Sequence, residues 1–216
     1  EHRPTRREAL AGLAAATTLV LSGPALAQAE VPLRTLVATP GKARLRPAPA
    51  GETDIWTLDG TSPGPALRIR LGETLRLKLE NRTERPLALH WHGLRGAAAM
   101  DGVGGFSQPP VAPGGSFEYR LTPTEPGTIL YRPLVIGGAS EPAGRGLSGI
   151  LVVEEAEPLK VDRDLPVLVC DWLLGDDHVI RPFLADSPES AAAGRLGSWL
   201  TVNGASPPQR ITVAPG

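Results

Sequence analysis

Apolar and polar residues alternate with a period of two in short runs along most of the chain. The clearest are LRIRL (67–71) and LRLKL (75–79), where every second residue is leucine or isoleucine and the rest are cationic. Successive side chains of a β-strand point to opposite faces, so such runs predict strands with one face in a core. The same reading predicts strands at 31–39, 65–73, 73–81, 87–94, 116–122, 127–133 and 148–155. Turn-forming clusters separate them, among them DGTSPG, APGG and TEPG, in which Gly, Pro, Asp and Ser each favour a chain reversal. Helix-period patterns are scarce after residue 30. Short strands at this spacing without helical crossovers predict an all-β sandwich, with a first domain over 30–156.

Near AEPLKVDRD (156–164) the pattern restarts. LPVLVCDWLL (165–174) is a continuous apolar run and predicts a buried strand, and the Ser/Ala/Gly-rich stretch 186–197 follows it. The next segment, SWLTVNGASPPQRITVAPG, mirrors IWTLDGTSPGPALRIRLG of the first domain. Trp56 matches Trp199, Asp59-Gly60 matches Asn203-Gly204, Pro63 matches Pro207, and Arg68-Ile69 matches Arg210-Ile211. A repeat at about 140 residues is too long for a solenoid and suits tandem domains. The second copy, over 160–216, lacks the strands that would close its sandwich. The 216 residues therefore read as the amino-terminal part of a longer protein.

Composition narrows the function class. The net charge is −1 and no basic patch occurs, so nucleic acid is not an expected partner. Glycine (25) and proline (23) fall between the predicted strands rather than in repeats, as turns do. Arg6-Arg7, the alanine-rich apolar run 8–23 and the small-x-small site Ala25-Leu26-Ala27 predict a twin-arginine signal peptide over 1–27. The run is short for a stable membrane span. These features imply the twin-arginine (Tat) export machinery as a partner and a periplasmic or exported location. Cys170 is the single cysteine, which excludes an intramolecular disulfide. It reads as a buried structural thiol.

Of four histidines, two stand one residue apart in LALHWHGLRG (87–96). On a strand, His90 and His92 share a face with Ala88, while Leu87, Leu89 and Trp91 share the other and face the core. Imidazole pairs suit copper, zinc, iron or nickel, and they also occur as solvated or structurally bonded residues. His178, after Asp176-Asp177, reads as an exposed loop residue, and His2 falls in the signal segment.

The segment from HWHG (90–93) through Asp101-Gly102, Gln108-Pro109, Pro113-Gly114, Phe117, Tyr119 and Gly127-Thr128 to Tyr131 resembles the first copper-binding segment of multicopper oxidases. DGTSPGPALRIRLGE resembles the opening strands of that family's first domain, and LSGILVVEE the strand that ends it. The resemblance implies a cupredoxin-like Greek-key β-sandwich and copper as cofactor. It implies His90 as a ligand of a type 2 copper and His92 of a type 3 copper, in the cluster where dioxygen is reduced to water. Asp101 falls where such proteins hold a carboxylate near the cluster, as a proton relay; an Asp-Gly turn is the alternative reading. Trp91 reads as core, and Met100 matches no ligand position.

One segment departs from the family pattern. Where the family carries a second His-x-His after the Gly-Thr-x-x-Tyr strand, this chain has Arg132 and Leu134. Leucine has no donor atom, and arginine is a fixed cation that repels a metal ion. The family's remaining ligands, including the type 1 cysteine, lie in a carboxy-terminal domain. The resemblance thus implies a copper-dependent oxidoreductase with an incomplete trinuclear site, passing electrons from a phenol, amine or metal ion to O2. This chain alone is expected to be inactive. The alternatives are a non-catalytic periplasmic scaffold of the same fold and a simple copper-binding module.

Overall fold

The alternating leucines at 75–79 all turn inward. In the computed structural model, which describes residues 31–183, 194–208 and 210–212, this run forms β4 (Leu75–Asn81), whose residues alternate between buried and half-buried. Around it lie β1 (Leu33–Ala43), β2 (Thr53–Leu58), β3 (Leu67–Arg70), β5 (Leu89–His92), β6 (Ser116–Leu121), β7 (Gly127–Pro133) and β8 (Gly149–Glu154). One sheet has the order β2-β1-β4-β6 and the other β3-β8-β7-β5. The β1–β4 and β3–β8 pairs are parallel, which requires the chain to cross between sheets. The two inner faces meet in one core: Leu36, Leu58, Leu77 and Tyr119 from the first sheet against Leu67, Trp91, Tyr131 and Leu151 from the second. This is the cupredoxin-like Greek-key sandwich that the sequence resemblance implies.

Strand β2 is the element that alternation does not predict. Its residues TDIWTL are nearly all buried, because Trp56 and Leu58 enter the sandwich core while Ile55 joins a second cluster with Leu45, Trp172 and Leu174 on the outer face. A strand covered on both sides has no polar face to alternate with. Residues 155–168 contain neither helix nor strand. A hairpin of β9 (Val169–Trp172) and β10 (Trp199–Val202) follows and packs on that outer cluster. Trp199 Nε1 donates to the Leu45 carbonyl at 2.7 Å, and Trp172 Nε1 donates to Thr201 Oγ1 at 2.8 Å.

The sequence repeat has a structural counterpart in two turns. Asp59-Gly60 has φ of +51° and +79°, and Asn203-Gly204 has +49° and +81°. Both pairs close type I′ hairpin turns, which need two left-handed residues and favour Asp-Gly and Asn-Gly. Each also ties back to the preceding strand segment. Asp59 Oδ1 accepts from the Val37 N–H at 2.7 Å, and Asn203 Oδ1 accepts from the Leu168 N–H at 2.8 Å. The hairpin β9–β10 therefore repeats β1–β2.

The expectation of a buried strand at 165–174 needs correction. Leu165, Val167 and Val169 are about half exposed, and only Trp172 and Leu174 are buried. β9 pairs with β10 alone and turns just one face onto the outer cluster. The one α-helix among the described residues, α1 (Ser140–Gly144), is a single turn. No described helix is long and apolar enough to cross a membrane. The signal-peptide reading of 1–27, with its twin arginine and His2, lies outside the described residues.

The core contains both tyrosines of the chain, Tyr119 and Tyr131, fully buried. Burial pushes the Tyr119 phenol up to about 12, against which its hydrogen bond from the Leu89 backbone works only weakly; burial raises Tyr131 as well. A phenol whose value is raised on folding stabilises the fold below its unfolded value of about 10, and that contribution is lost as pH rises toward the folded value. Ultraviolet titration of the folded chain should therefore show no phenolate near pH 10. Phenolate absorbance should appear together with loss of the circular-dichroism signal between about pH 10 and 12.

Candidate metal centre

On β5, His90 and His92 alternate with Leu89 and Trp91, and several contacts fix that parity. Leu89 and Trp91 are buried to 0% and 1% exposure. The Trp91 ring lies between Tyr119 and Tyr131, with centroids 5.6 and 5.5 Å away. A slip of one residue would bury both imidazoles and expose the leucine and tryptophan. β5 is an edge strand that pairs only with β7. The Leu89 N–H donates to the Tyr119 hydroxyl at 2.8 Å, a bond that reaches across the core from the opposite sheet.

The outward face carries both half-buried imidazoles, with ring centroids 4.5 Å apart in an edge-to-face arrangement. The β5–β7 register sets His90 opposite Arg132 and His92 opposite Leu130. Leu134 follows directly, its N–H donating to the Ala88 carbonyl at 2.9 Å. Arg132 and Leu134 thus stand beside the histidine pair, where the sequence motif puts them.

His90 is oriented by backbone. Its Nδ1 lies 2.7 Å from the Asp101 carbonyl oxygen, and a carbonyl only accepts, so Nδ1 carries the proton. In the neutral form of the ring that tautomer puts the lone pair on Nε2, as in metal-ligating histidines whose other nitrogen donates to a carbonyl. Gly102 makes this contact possible. It has φ +78°, and a Cβ there would lie 1.7 Å from the Leu89 carbonyl oxygen. Only glycine lets the loop press this closely on β5. The Asp101 carboxylate is a weaker neighbour, with Oδ1 3.5 Å from His90 Nδ1 and the side chain 38% exposed. The Asp-Gly step is a tight loop with Gly102 at φ +78°, and the Asp101 carboxylate lies beside the His90 ring. The close-packing role of Gly102 was legible only as the glycine after an aspartate.

His92 has a different partner. Arg132 Nε donates to His92 Nε2 at 3.0 Å, so that nitrogen is the acceptor and Nδ1 holds the proton. Burial pushes the His92 imidazole below its usual value, and the neighbouring His90 and Arg132 add to the shift against the opposing Asp101 carboxylate. His92 is therefore held neutral. The sequence predicts that Arg132 repels a metal; it does not predict that Arg132 bonds the histidine.

The donor set can be tested against copper. His90 fits, with an oriented ring and an open Nε2. His92 does not fit as it stands, because Arg132 occupies its unprotonated nitrogen. No group of three or more His, Cys, Asp or Glu side chains among the described residues could hold a metal ion. The described residues do not fit a multinuclear copper cluster.

The other candidates lie elsewhere. Met100 Sδ accepts from the Arg120 N–H at 3.3 Å and packs on the core. Cys170 is half-buried on β9 rather than deeply buried, its thiol raised by burial with Ser148 Oγ at 3.7 Å. His178 is half-buried, not an exposed loop residue. Its Nδ1 lies 3.4 Å from Arg46 Nη1, and its carbonyl accepts from Thr53 Oγ1 at 2.8 Å. It braces the loop after β9 against β2.

The multicopper oxidase family model matches residues 41–158. The chain is 34% identical to laccase-1 of Cryptococcus neoformans var. neoformans over 71% of its own length and 26% of the relative's. It is 33% identical to copper resistance protein A of Pseudomonas syringae pv. tomato, over 80% of this chain and 29% of that one. Among solved structures, a multi-copper oxidase from Pseudomonas thermotolerans aligns with a TM-score of 0.73 at 35% identity, covering 81% of this chain and 42% of that one. The chain spans about a quarter of the length of the curated relatives it matches.

Gly102→Ala forces a side chain into the Leu89 backbone and a left-handed φ. It should destabilise the fold by about 2–4 kcal/mol, read as a lower denaturant midpoint. It should also release the His90 Nδ1 proton from the Asp101 carbonyl, seen as faster exchange of that proton by NMR.

Proposed function

Because the chain belongs to the multicopper oxidase family, we propose that it is the amino-terminal part of a copper-dependent oxidoreductase that oxidises phenols, amines or metal ions and reduces O2 to water. The observation that carries this reading is the outward imidazole pair of β5, in which the Asp101 carbonyl leaves His90 Nε2 open. Copper supplies the redox chemistry of such an enzyme. The residues of this chain supply orientation: β5 aims the rings, the Asp101 loop fixes the tautomer of His90, and the Asp101 carboxylate is placed to exchange protons with water at that face. Residues 30–156 form the first cupredoxin domain in this reading and 160–216 open a second, consistent with the repeated type I′ turns. The further ligands of a working centre come from outside the described residues, since Arg132 and Leu134 supply none. The twin arginine and the apolar run that follows it support export through the Tat machinery to a periplasmic location.

Two measurements test this. The isolated 216-residue chain, supplied with copper, should show no oxygen-dependent oxidation of phenolic or amine dyes; sustained turnover would mean that the ligand set is complete without further residues. Whatever copper the folded chain retains should disappear in the His90→Ala/His92→Ala double variant, measured by mass spectrometry of the metal. Equal copper content in that variant would remove the site from β5.

A further inference from the structure

We infer that Arg132 is the resident cation of the histidine face: its guanidinium holds the lone pair of His92 Nε2, and the folded chain presents copper with the single imidazole nitrogen His90 Nε2. This rests on the reading of β5 as the copper-facing strand and adds how access to that strand is controlled.

The direction of the bond is not in question. A guanidinium has donors and no acceptor and stays charged throughout the working pH range. With Arg132 Nε 3.0 Å from His92 Nε2, the histidine nitrogen must be the unprotonated one. That lone pair is what a metal ion would take. Diagonal neighbours on adjacent strands are within reach of long side chains, and Arg132 uses that diagonal: its Cα is opposite His90, yet its side chain bonds His92.

On the other ring, the free nitrogen is Nε2, because Nδ1 donates to the Asp101 carbonyl. One face therefore holds two imidazole Nε2 atoms with opposite fates. One lone pair is open and one is closed by a permanent cation. A copper ion on His92 must displace the guanidinium and then sit beside a like charge, while Leu134 on the same face offers no donor. The side chain of Arg132 has somewhere to go. It is exposed and lines a cleft of about 260 Å³ together with Ser148, Cys170, Asp171 and Arg195. Removing it opens no part of the sandwich core, so variants at this position test metal access rather than folding.

The test uses the full 216-residue chain. In the metal-free, nitrogen-15-labelled wild type, long-range histidine NMR should find His90 protonated at Nδ1 and His92 unprotonated at Nε2. Arg132→Ala should move the His92 Nε2 resonance and leave the His90 pattern unchanged. In competition with a chelator, Arg132→Ala should bind copper at least about tenfold more tightly than wild type, and adding His92→Ala should cancel the gain. Finding the proton on His92 Nε2 in the wild type would overturn the inference, as would equal copper affinity in wild type and Arg132→Ala. Failure of the family reading has a different signature, namely copper that survives loss of both histidines.

Discussion

Trp91 sits fully buried between Tyr119 and Tyr131, and the remainder of the site depends on that clamp. An edge strand has a single hydrogen-bonded neighbour, so its register rests more on side-chain burial than that of a central strand does. Here the burial is decisive. Leu89 and Trp91 fill the core from the second sheet, and Tyr119 reaches over from the first to accept the Leu89 N–H. With both inward residues fixed, the imidazoles that alternate with them have only the outer face to occupy. A pair of imidazoles is positioned by hydrophobic packing beneath it.

Orientation of the His90 ring is a separate problem, and the chain solves it with backbone. The Asp101 carbonyl lies 2.7 Å from His90 Nδ1, against 3.5 Å for the nearest carboxylate oxygen. A carbonyl fixed in a loop does not titrate and does not change rotamer, so it selects one tautomer of the neutral ring. The loop is fixed in turn. Gly102 presses against Leu89, while the Gly104 N–H donates to the Leu134 carbonyl and the Gly104 carbonyl accepts from Ile136. Position 134 therefore acts as a strut through its main chain, whatever its side chain contributes.

How far the sequence reveals this follows from the type of interaction. The strands with one dry and one wet face were legible from alternation, as β3 and β4 show. β2 was not, because Ile55 and Trp56 are buried on opposite faces and the alternation vanishes. The paired turns were legible because Asp-Gly and Asn-Gly encode a left-handed pair locally. In 165–174 an apolar run suggested burial, yet exposure depends on what covers a strand, which local sequence does not state. The neighbourhood of His90, His92, Arg132 and Leu134 was legible as a motif because cross-strand register converts sequence position into proximity. The bond from Arg132 to His92 was not, since it depends on the rotamer of a long side chain.

Most of this geometry is carried by interactions that involve no metal. Core packing sets the parity of β5, a glycine contact sets the loop, a backbone carbonyl sets one imidazole, and a guanidinium sets the other. Each of these contacts is made between groups of the chain itself. Arginine is also suited to the last of these roles. Lysine ends in a compact, strongly hydrated ammonium on a flexible stem, whereas arginine offers a donor at Nε, partway along the side chain, and keeps its charge. With Nε on His92, the outer guanidinium nitrogens remain free to face the cleft beside β9. Position 132 therefore holds a cation bonded on one side to the histidine face and open on the other to solvent. Such an arrangement favours neutral His92, and it makes the difference between the two imidazoles a property of the fold itself.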